Sequence, residues 1–197
     1  MGWVLDRAHV RIEFAVRQLI VAMVHGHFAD FNAEISLDLE QPERSRVTAD
    51  VAVASLDTGN ALRDAHLRSA DFLDVERYPR ITFASTRATQ VAADTFWLRG
   101  DLTIHGVTHE VTFSGKLETP VTQLAGEHGV GFLLTTEIDR ADYGMDWNVP
   151  LDSGGVMVGR SVPITIDARV IEVPGNGSVP EGSDAAPSQQ AEQGEPQ

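Results

Sequence analysis

The stretch Ser161-Val162-Pro163-Ile164-Thr165-Ile166-Asp167-Ala168-Arg169-Val170 sets Val162, Ile164, Ile166, Ala168 and Val170 against Ser161, Thr165, Asp167 and Arg169. Side chains of an extended chain point alternately to opposite faces, so this segment reads as a strand with one dry side and one wet side. The same period recurs near the other end, where Val10, Ile12, Phe14 and Val16 alternate with Arg11 and Glu13. Six segments between them repeat it, at residues 31–39, 47–53, 80–86, 96–104, 111–117 and 132–138. Eight half-apolar strands with no second apolar layer to cover them predict an all-β fold. Their short links favour antiparallel pairing, and a sheet closed on itself hides the dry side.

The connections carry their own signals. His105-Gly106, Glu118-Thr119-Pro120 and Asp152-Ser153-Gly154-Gly155 read as turns. Asn60-Ala61-Leu62-Arg63-Asp64-Ala65-His66-Leu67 is rich in helix formers and places Leu62 and His66 four apart on one helical face. Ser69 reads as the cap of a second short turn through Phe72 and Val75. Residues 17–24 are apolar without alternation and read as a short helix or an irregular lip over the barrel mouth.

A chain of 197 residues suits one domain with a substantial core. From Pro174 to Gln197 there is no aromatic, Lys or Arg, and such a segment buries too little apolar surface to offset its ordering entropy. The expectation is a barrel domain over 1–173 followed by a disordered acidic tail over 174–197. Removing the tail's four acidic residues from the net charge of -14 leaves -10 on the body. That balance argues against nucleic acid, which needs a basic footprint, and against anionic membrane surfaces. No cysteine is available for disulfides or thiolate chemistry. No apolar run approaches a membrane span, the best being the six residues 19–24. The opening Met1-Gly2-Trp3-Val4-Leu5-Asp6 lacks a basic region followed by an apolar one, so the expectation is a soluble cytoplasmic protein. A leader removed from a periplasmic or secreted protein is the alternative.

Chemistry is sparse. There is no Gly-x-Ser-x-Gly elbow and no phosphate-cradling glycine loop, so no residue is assigned a catalytic role. His25 and His27 have a spacing that zinc sites use, but no further ligand follows at a matching offset, and Gly26 between them suggests two solvated histidines on an exposed turn. No metal or cofactor is expected. Small residues on the dry faces (Ala33, Ala49, Gly100, Gly115, Ala168) favour room along the barrel axis. Three ionisable clusters fall where the pattern predicts rims, around Arg63-Asp64-Ala65-His66, around His105, and at Asp139-Arg140-Ala141-Asp142. Two readings stand for them. In one, Arg63, Asp64, Asp139 and Arg140 pair with one another to fix the helix and loops. In the other, Arg63, His66, His105 and Arg140 hydrogen-bond the polar end of a ligand.

The chain resembles the YceI-like family of bacterial lipid-binding proteins. The matching elements are Trp3-x-x-Asp6-x-x-His9, Gly26-x-Phe28, Arg63-Asp64-x-His66-Leu67, Asp71-Phe72-Leu73-Asp74 and Tyr78-Pro79-x-Ile81-x-Phe83, followed by Gly100-Asp101-Leu102-Thr103-Ile104-His105-Gly106-Val107-Thr108 and Asp139-Arg140-x-Asp142-Tyr143-Gly144-Met145. They run in order over residues 3–173. The resemblance implies an extended, eight-stranded, lipocalin-like antiparallel barrel with one or two short helices that holds a long isoprenoid, either a polyprenyl chain or an isoprenoid quinone, and it admits a homodimer. Many members are exported, and the acidic tail is not part of the family pattern.

The expected function is therefore carriage or storage of an isoprenoid lipid, without catalysis. The inward residues assigned to its tunnel are Phe14, Val16, Ile35, Val51 and Phe83, then Leu98, Leu102, Ile104 and Phe113, then Phe132, Leu134, Ile164 and Ile166. Leu19, Met23, Phe28, Phe72 and Met145 join them from the connections and strand ends. At ~0.8 kcal/mol per buried carbon, one five-carbon unit gains roughly 3–4 kcal/mol before ordering costs. The acidic body favours a neutral quinone ring over a pyrophosphate head. Two alternatives remain: an isomerase or hydrolase acting on such a lipid with His66 or His105 as base, and a stress-associated structural module whose barrel is occluded.

Overall fold

The computed structural model describes residues 2–19, 22–124, 127–152 and 154–173. The expected tail over 174–197 lies outside them. All eight alternating segments form strands, and three short strands join them. In chain order these are β1 (Gly2–Leu5), β2 (Arg11–Gln18), β3 (Ala22–Phe28), β4 (Phe31–Ser36), β5 (Arg46–Ala52), β6 (Leu56–Asp57), β7 (Arg80–Gln90), β8 (Thr95–Ile104), β9 (Val107–Leu124), β10 (Glu127–Asp139) and β11 (Ser161–Val173). The one α-helix among the described residues, α1, spans Ala61–Arg68. No helix among them is long and apolar enough to cross a membrane.

Eleven strands against an expected eight have a geometric cause. The hydrogen-bonded order is β4-β5-β7-β8-β9-β10-β11-β2-β3-β6, with β1 paired to β11. β1 and β2 share one edge of β11, with Leu5 opposite Val170 and Arg11 opposite Asp167. β3 and β4 face β6 and β5 in the same way, with Phe28 opposite Leu56 and Phe31 opposite Val51. Each of β1–β2, β3–β4 and β5–β6 is thus one long strand with a kink. The kinks lie at the 3-10 turn Arg7–His9, at Ala29-Asp30 and at the 3-10 turn Val53–Ser55. The last two lie beside each other, since Ala29 N–H donates to the Ser55 carbonyl at 3.3 Å and Ala52 N–H to the Asp30 carbonyl at 2.9 Å. The covalent link through residues 53–55 joins β6, at one end of the hydrogen-bonded path, to β5, beside β4 at the other, so eight long antiparallel strands form a ring. The dry faces then bury one another without a covering layer.

Several local expectations are corrected. Of residues 17–24, read as a helix or a lip, Arg17 and Gln18 end β2 and Ala22, Met23 and Val24 begin β3, with Val16 opposite Val24 and Gln18 opposite Ala22, while 20 and 21 lie outside the described residues. Leu19 turns in the left-handed region at φ 50°. Gly26 is no exposed turn but a buried strand position beneath the Phe14 ring. Glu118-Thr119-Pro120 is no turn either, because the backbone of β9 runs through it to Leu124 and a register shift in the β9–β10 ladder absorbs the irregularity. The β7 alternation, followed only to residue 86, continues to Gln90 after a bulge between Ser85 and Arg87. The bulge flips parity, so Ala88 and Gln90 face inward beyond it although Ile81 and Phe83 do so before it.

The expected helix does form, capped by Asn60, whose side chain accepts from the N–H groups of Leu62 and Arg63 at 3.1 Å each. Ser69 ends it and opens the following turn, with its carbonyl accepting from Phe72 and Asp74 N–H. The inward face of α1 is Arg63, His66 and Leu67. Leu62 sits at its margin and is 86% exposed, so it does not share the work of His66.

The inward glycines do not leave the empty room that composition suggested. A Cβ on Gly115 would lie 2.2 Å from the ring of Phe96, its cross-strand partner, and a Cβ on Gly26 would lie 2.4 Å from that of Phe14. Gly100 is tighter, with the Ala84 carbonyl and the Phe83 ring both at 2.5 Å. Each glycine seats a phenyl ring lying across the sheet. Those rings then meet edge to face deeper inside, Phe83 with Phe113 at 5.4 Å and Phe96 with Phe132 at 5.9 Å between centroids. Gly100→Ala and Gly115→Ala are both expected to destabilise, by about 1–3 kcal/mol for overpacking. Gly100→Ala costs more, because its Cβ meets backbone and not only a ring that can swing. Urea unfolding of the two variants checks the order.

Candidate functional site: an apolar tunnel

Closing the ring leaves a cavity of about 510 Å³ along the barrel axis, to whose lining all eleven strands contribute. Every residue assigned to a tunnel from the sequence lines it, except Leu19 and Met23. Those two stand at the tip of the β2–β3 hairpin, 49% and 43% exposed. Met23 lies opposite Arg17 on the outward face, so its apolar character gave the wrong direction. Ala33, Ala49 and Ala168 do line the cavity and widen it. At one end its wall is Leu37, Leu39, Ala92 and Ala93, from the loop before β5 and the β7–β8 turn.

The other end is closed by α1 and the segment between β10 and β11. Arg63, His66 and Arg140 all reach the lining there, together with Phe72 and Trp147. The His66 ring stands edge-on to Trp147 at 4.6 Å and to Phe72 at 5.1 Å, and its Nε2 lies 2.9 Å from Asp71 Oδ2. Trp147 escaped the sequence reading because it sits in a connection, where no alternation marks which side chains face in. His105 is not brought to this cluster. It sits on the β8–β9 turn at φ 51°, with Nδ1 3.0 Å from the Tyr143 carbonyl and its ring against Tyr78, and it does not line the tunnel.

The two arginines are anchored to protein. Arg63 donates from Nε to Thr58 Oγ1 and from Nη2 to the Thr58 carbonyl, each at 2.7 Å. Arg140 is buried and donates to the carbonyls of Gly159 (2.9 Å), Val158 (3.3 Å) and Met145. Burial pushes its guanidinium below the ordinary arginine value, and the charges of Asp146 and Asp139 partly oppose this. Nor do the rim charges pair with one another as the purely architectural reading expected. Asp64 accepts from the N–H and hydroxyl of Thr58, while Asp139 accepts from Ala141 N–H and from Arg160. Each of the four ties down chain near it, and the opposite charge that Asp139 does meet is Arg160, at 3.0 Å. The Ala141 N–H is the main reason that the Asp139 carboxyl lies below its usual range.

Asn148 completes this end. Its amide donates to the Val158 carbonyl at 2.6 Å and accepts from Val158 N–H at 3.0 Å, replacing a missing strand neighbour. Behind the cluster, Tyr143 is 2% exposed and its hydroxyl has no hydrogen-bond partner among the described residues. Burial, with the Asp142 charge, pushes its pKa up to about 12 from 10.

His25 and His27 are exposed on the outer face of β3, and no group of three or more His, Asp or Glu among the described residues could hold a metal ion.

Two predictions follow from these contacts. Arg140→Met strands the Gly159 and Met145 carbonyls, while the Val158 carbonyl keeps the Asn148 amide, and is expected to lower the unfolding free energy by about 2 kcal/mol, at the low end of 1–3 kcal/mol per orphaned group, in chemical denaturation. For Tyr143 the native pKa lies above the unfolded one, so the unfolded chain ionises first. Stability is whole below pH 10 and falls as pH rises from 10 to about 12. Tyr143→Phe should flatten that fall without loss at pH 7, since the hydroxyl has no partner to lose.

The comparisons with known proteins agree with this architecture. A protein of the UPF0312 group from Staphylococcus aureus is 33% identical over 172 residues, covering 85% of this chain and 96% of its own. A Staphylococcus epidermidis UPF0312 protein is 34% identical over 168 residues, covering 83% and 94%. Among solved structures, Burkholderia cenocepacia BcnA superposes with a TM-score of 0.71 at 21% identity, covering 84% of this chain and 98% of that one. A polyisoprenoid binding domain from Saccharophagus degradans superposes at 0.61 and 15% identity, covering 88% and 99%. These likenesses show the shared lipocalin-like barrel. The YceI-like domain family matches residues 3–170, nearly the whole of the barrel just described, and the chain belongs to that family.

Proposed function

We propose that this protein binds a long isoprenoid lipid inside its barrel and carries or stores it without chemical change. The observation that carries the reading is the cavity itself: a closed ring of dry strand faces around about 510 Å³, lined by aliphatic and phenyl side chains along its length. Such a space repays an apolar chain in proportion to the surface it removes from water. Membership of the YceI-like family and the likeness to a barrel named for polyisoprenoid binding support the same class of ligand.

The hydrogen bonds at the capped end favour an uncharged head group. Three donors of Arg140 and two of Arg63 are already committed to protein oxygens, and a body of net charge -10 repels a phosphate. A quinone ring suits the edge-on faces of His66, Phe72 and Trp147 better than an anion does. His66, oriented by Asp71, gives the alternative of an isomerase or hydrolase its one foothold.

Denaturing organic extraction of freshly purified protein, followed by mass spectrometry, tests the reading. A single prenyl species at near-stoichiometric yield is expected; an empty extract favours an occluded module. Ala49→Phe fills the tunnel from its wall and should weaken binding of a decyl-tailed benzoquinone at least tenfold, read from quenching of the chain's tryptophan fluorescence. Unchanged affinity in that variant would place the ligand elsewhere. Conversion of a prenyl substrate that disappears in His66→Ala would favour the enzyme.

A further inference from the structure

The ring of strands has one seam without a ladder. β1 pairs only with β11, and β4 pairs only with β5, although β1 lies alongside β4. Among the described residues no backbone hydrogen bond joins them. The seam opens where two kinks coincide, because β2 and β3 stay paired as far as Ile12 and Phe28 and the strands part beyond that point. A single side-chain bond crosses it among the described residues, from Arg7 Nη2 to Asn32 Oδ1 at 3.1 Å, and both residues are exposed.

The residues where the seam meets the end of the β2–β3 ladder face two ways. Val10, Ile12, Glu13, Phe28 and Phe31 line the tunnel and also line a hollow on the outer surface, whose remaining wall includes Arg7, Arg11 and His27. The wall is therefore one side chain thick at this place. Elsewhere each pair of neighbouring strands shares an antiparallel ladder over at least part of its length, and the capped end is fastened by Arg63, Asp64, Arg140 and Asn148. Parting β1 from β4 breaks no backbone bond, whereas lifting α1 or the loop before β11 breaks the buried bonds of those four residues. Both margins are themselves held: Asp6 pairs with Arg169 at 3.0 Å, and β4 keeps its full ladder to β5.

We propose that the β1–β4 seam is a lateral portal, bolted by Arg7 and Asn32, through which a long apolar ligand enters and leaves the tunnel sideways. This rests on the reading of the tunnel as a lipid site. A side opening lets a chain leave without threading its whole length past the rim at Leu37, Leu39, Ala92 and Ala93, and the apolar margins Val10, Phe28 and Phe31 keep it out of water as it passes.

The chain has no cysteine, so a crosslink can be placed cleanly. An Arg7→Cys/Asn32→Cys protein, loaded with decyl-tailed benzoquinone and then bridged by a short bis-maleimide, is mixed with excess phosphatidylcholine vesicles. Recovery of tryptophan fluorescence reports release. The portal predicts release at least tenfold slower in the bridged protein than in the same double variant left unbridged, and severalfold faster in Arg7→Ala than in the unaltered chain. Equal release rates with and without the bridge overturn the portal while leaving the tunnel as the binding site. Absence of quenching in the unaltered, unbridged chain overturns both. If Arg7→Ala fails to fold, the bridged and unbridged double variant still decide the matter.

Discussion

The dry faces of the strands have nothing to pack against but each other, and the remaining features of the structure answer to that constraint. A sheet of this length could bury its apolar side under helices, but the described residues hold one α-helix, of eight residues. Closure is the remaining solution, and three of the eight long strands kink to achieve it. The kink through Val53–Ser55 matters most. It carries one strand from its pairing with β4 and β7 to its pairing with β3, and so makes the ring continuous through covalent bonds where the ladder is not.

A ring of this size has to be filled or left hollow, and the phenyl–glycine pairs show how both happen at once. Each inward glycine lets a phenylalanine from the adjoining strand lie down across the sheet, which thins the filling at that level without exposing backbone to solvent. The hollow that remains is continuous because alanines, not glycines, face it at Ala33, Ala49 and Ala168. Smallness on the dry face thus has two physical meanings that look alike in a sequence: a seat for a ring, or a wall set back from the axis. Register separates them, since a seat needs an aromatic side chain directly or diagonally opposite.

The charged rim is architectural in its hydrogen bonds and still functional in its consequence. Arg140 and Arg63 spend donors on carbonyls and hydroxyls of the chain, which closes one end of the barrel and leaves His66, Phe72 and Trp147 as the surfaces that meet whatever lies inside. The pairing of opposite charges expected from their proximity in sequence does not occur. A buried arginine gains more from several fixed carbonyls than from one distant carboxylate that would itself need desolvation.

The sequence by itself determined the strand faces, the all-β class, the capped helix and the identity of nearly all the inward residues. Those depend on local geometry: a period of two, a run of helix formers after Asn60, a side chain that either is or is not apolar. It could not decide the direction of Leu19 and Met23, the strand that continues through Glu118, or the parity flip beyond Ser85, because a hairpin tip and a bulge change which face a residue shows without changing its neighbours in the chain. Trp147 and His105 mark the same limit. One joins the tunnel and the other leaves it, since loops are placed by the bonds that fasten them, here those of Arg140, Asn148 and the Tyr143 carbonyl, and these partners are distant in sequence. Only the tertiary structure decided where the ring has no ladder, because the seam between β1 and β4 is a property of two kinks falling side by side.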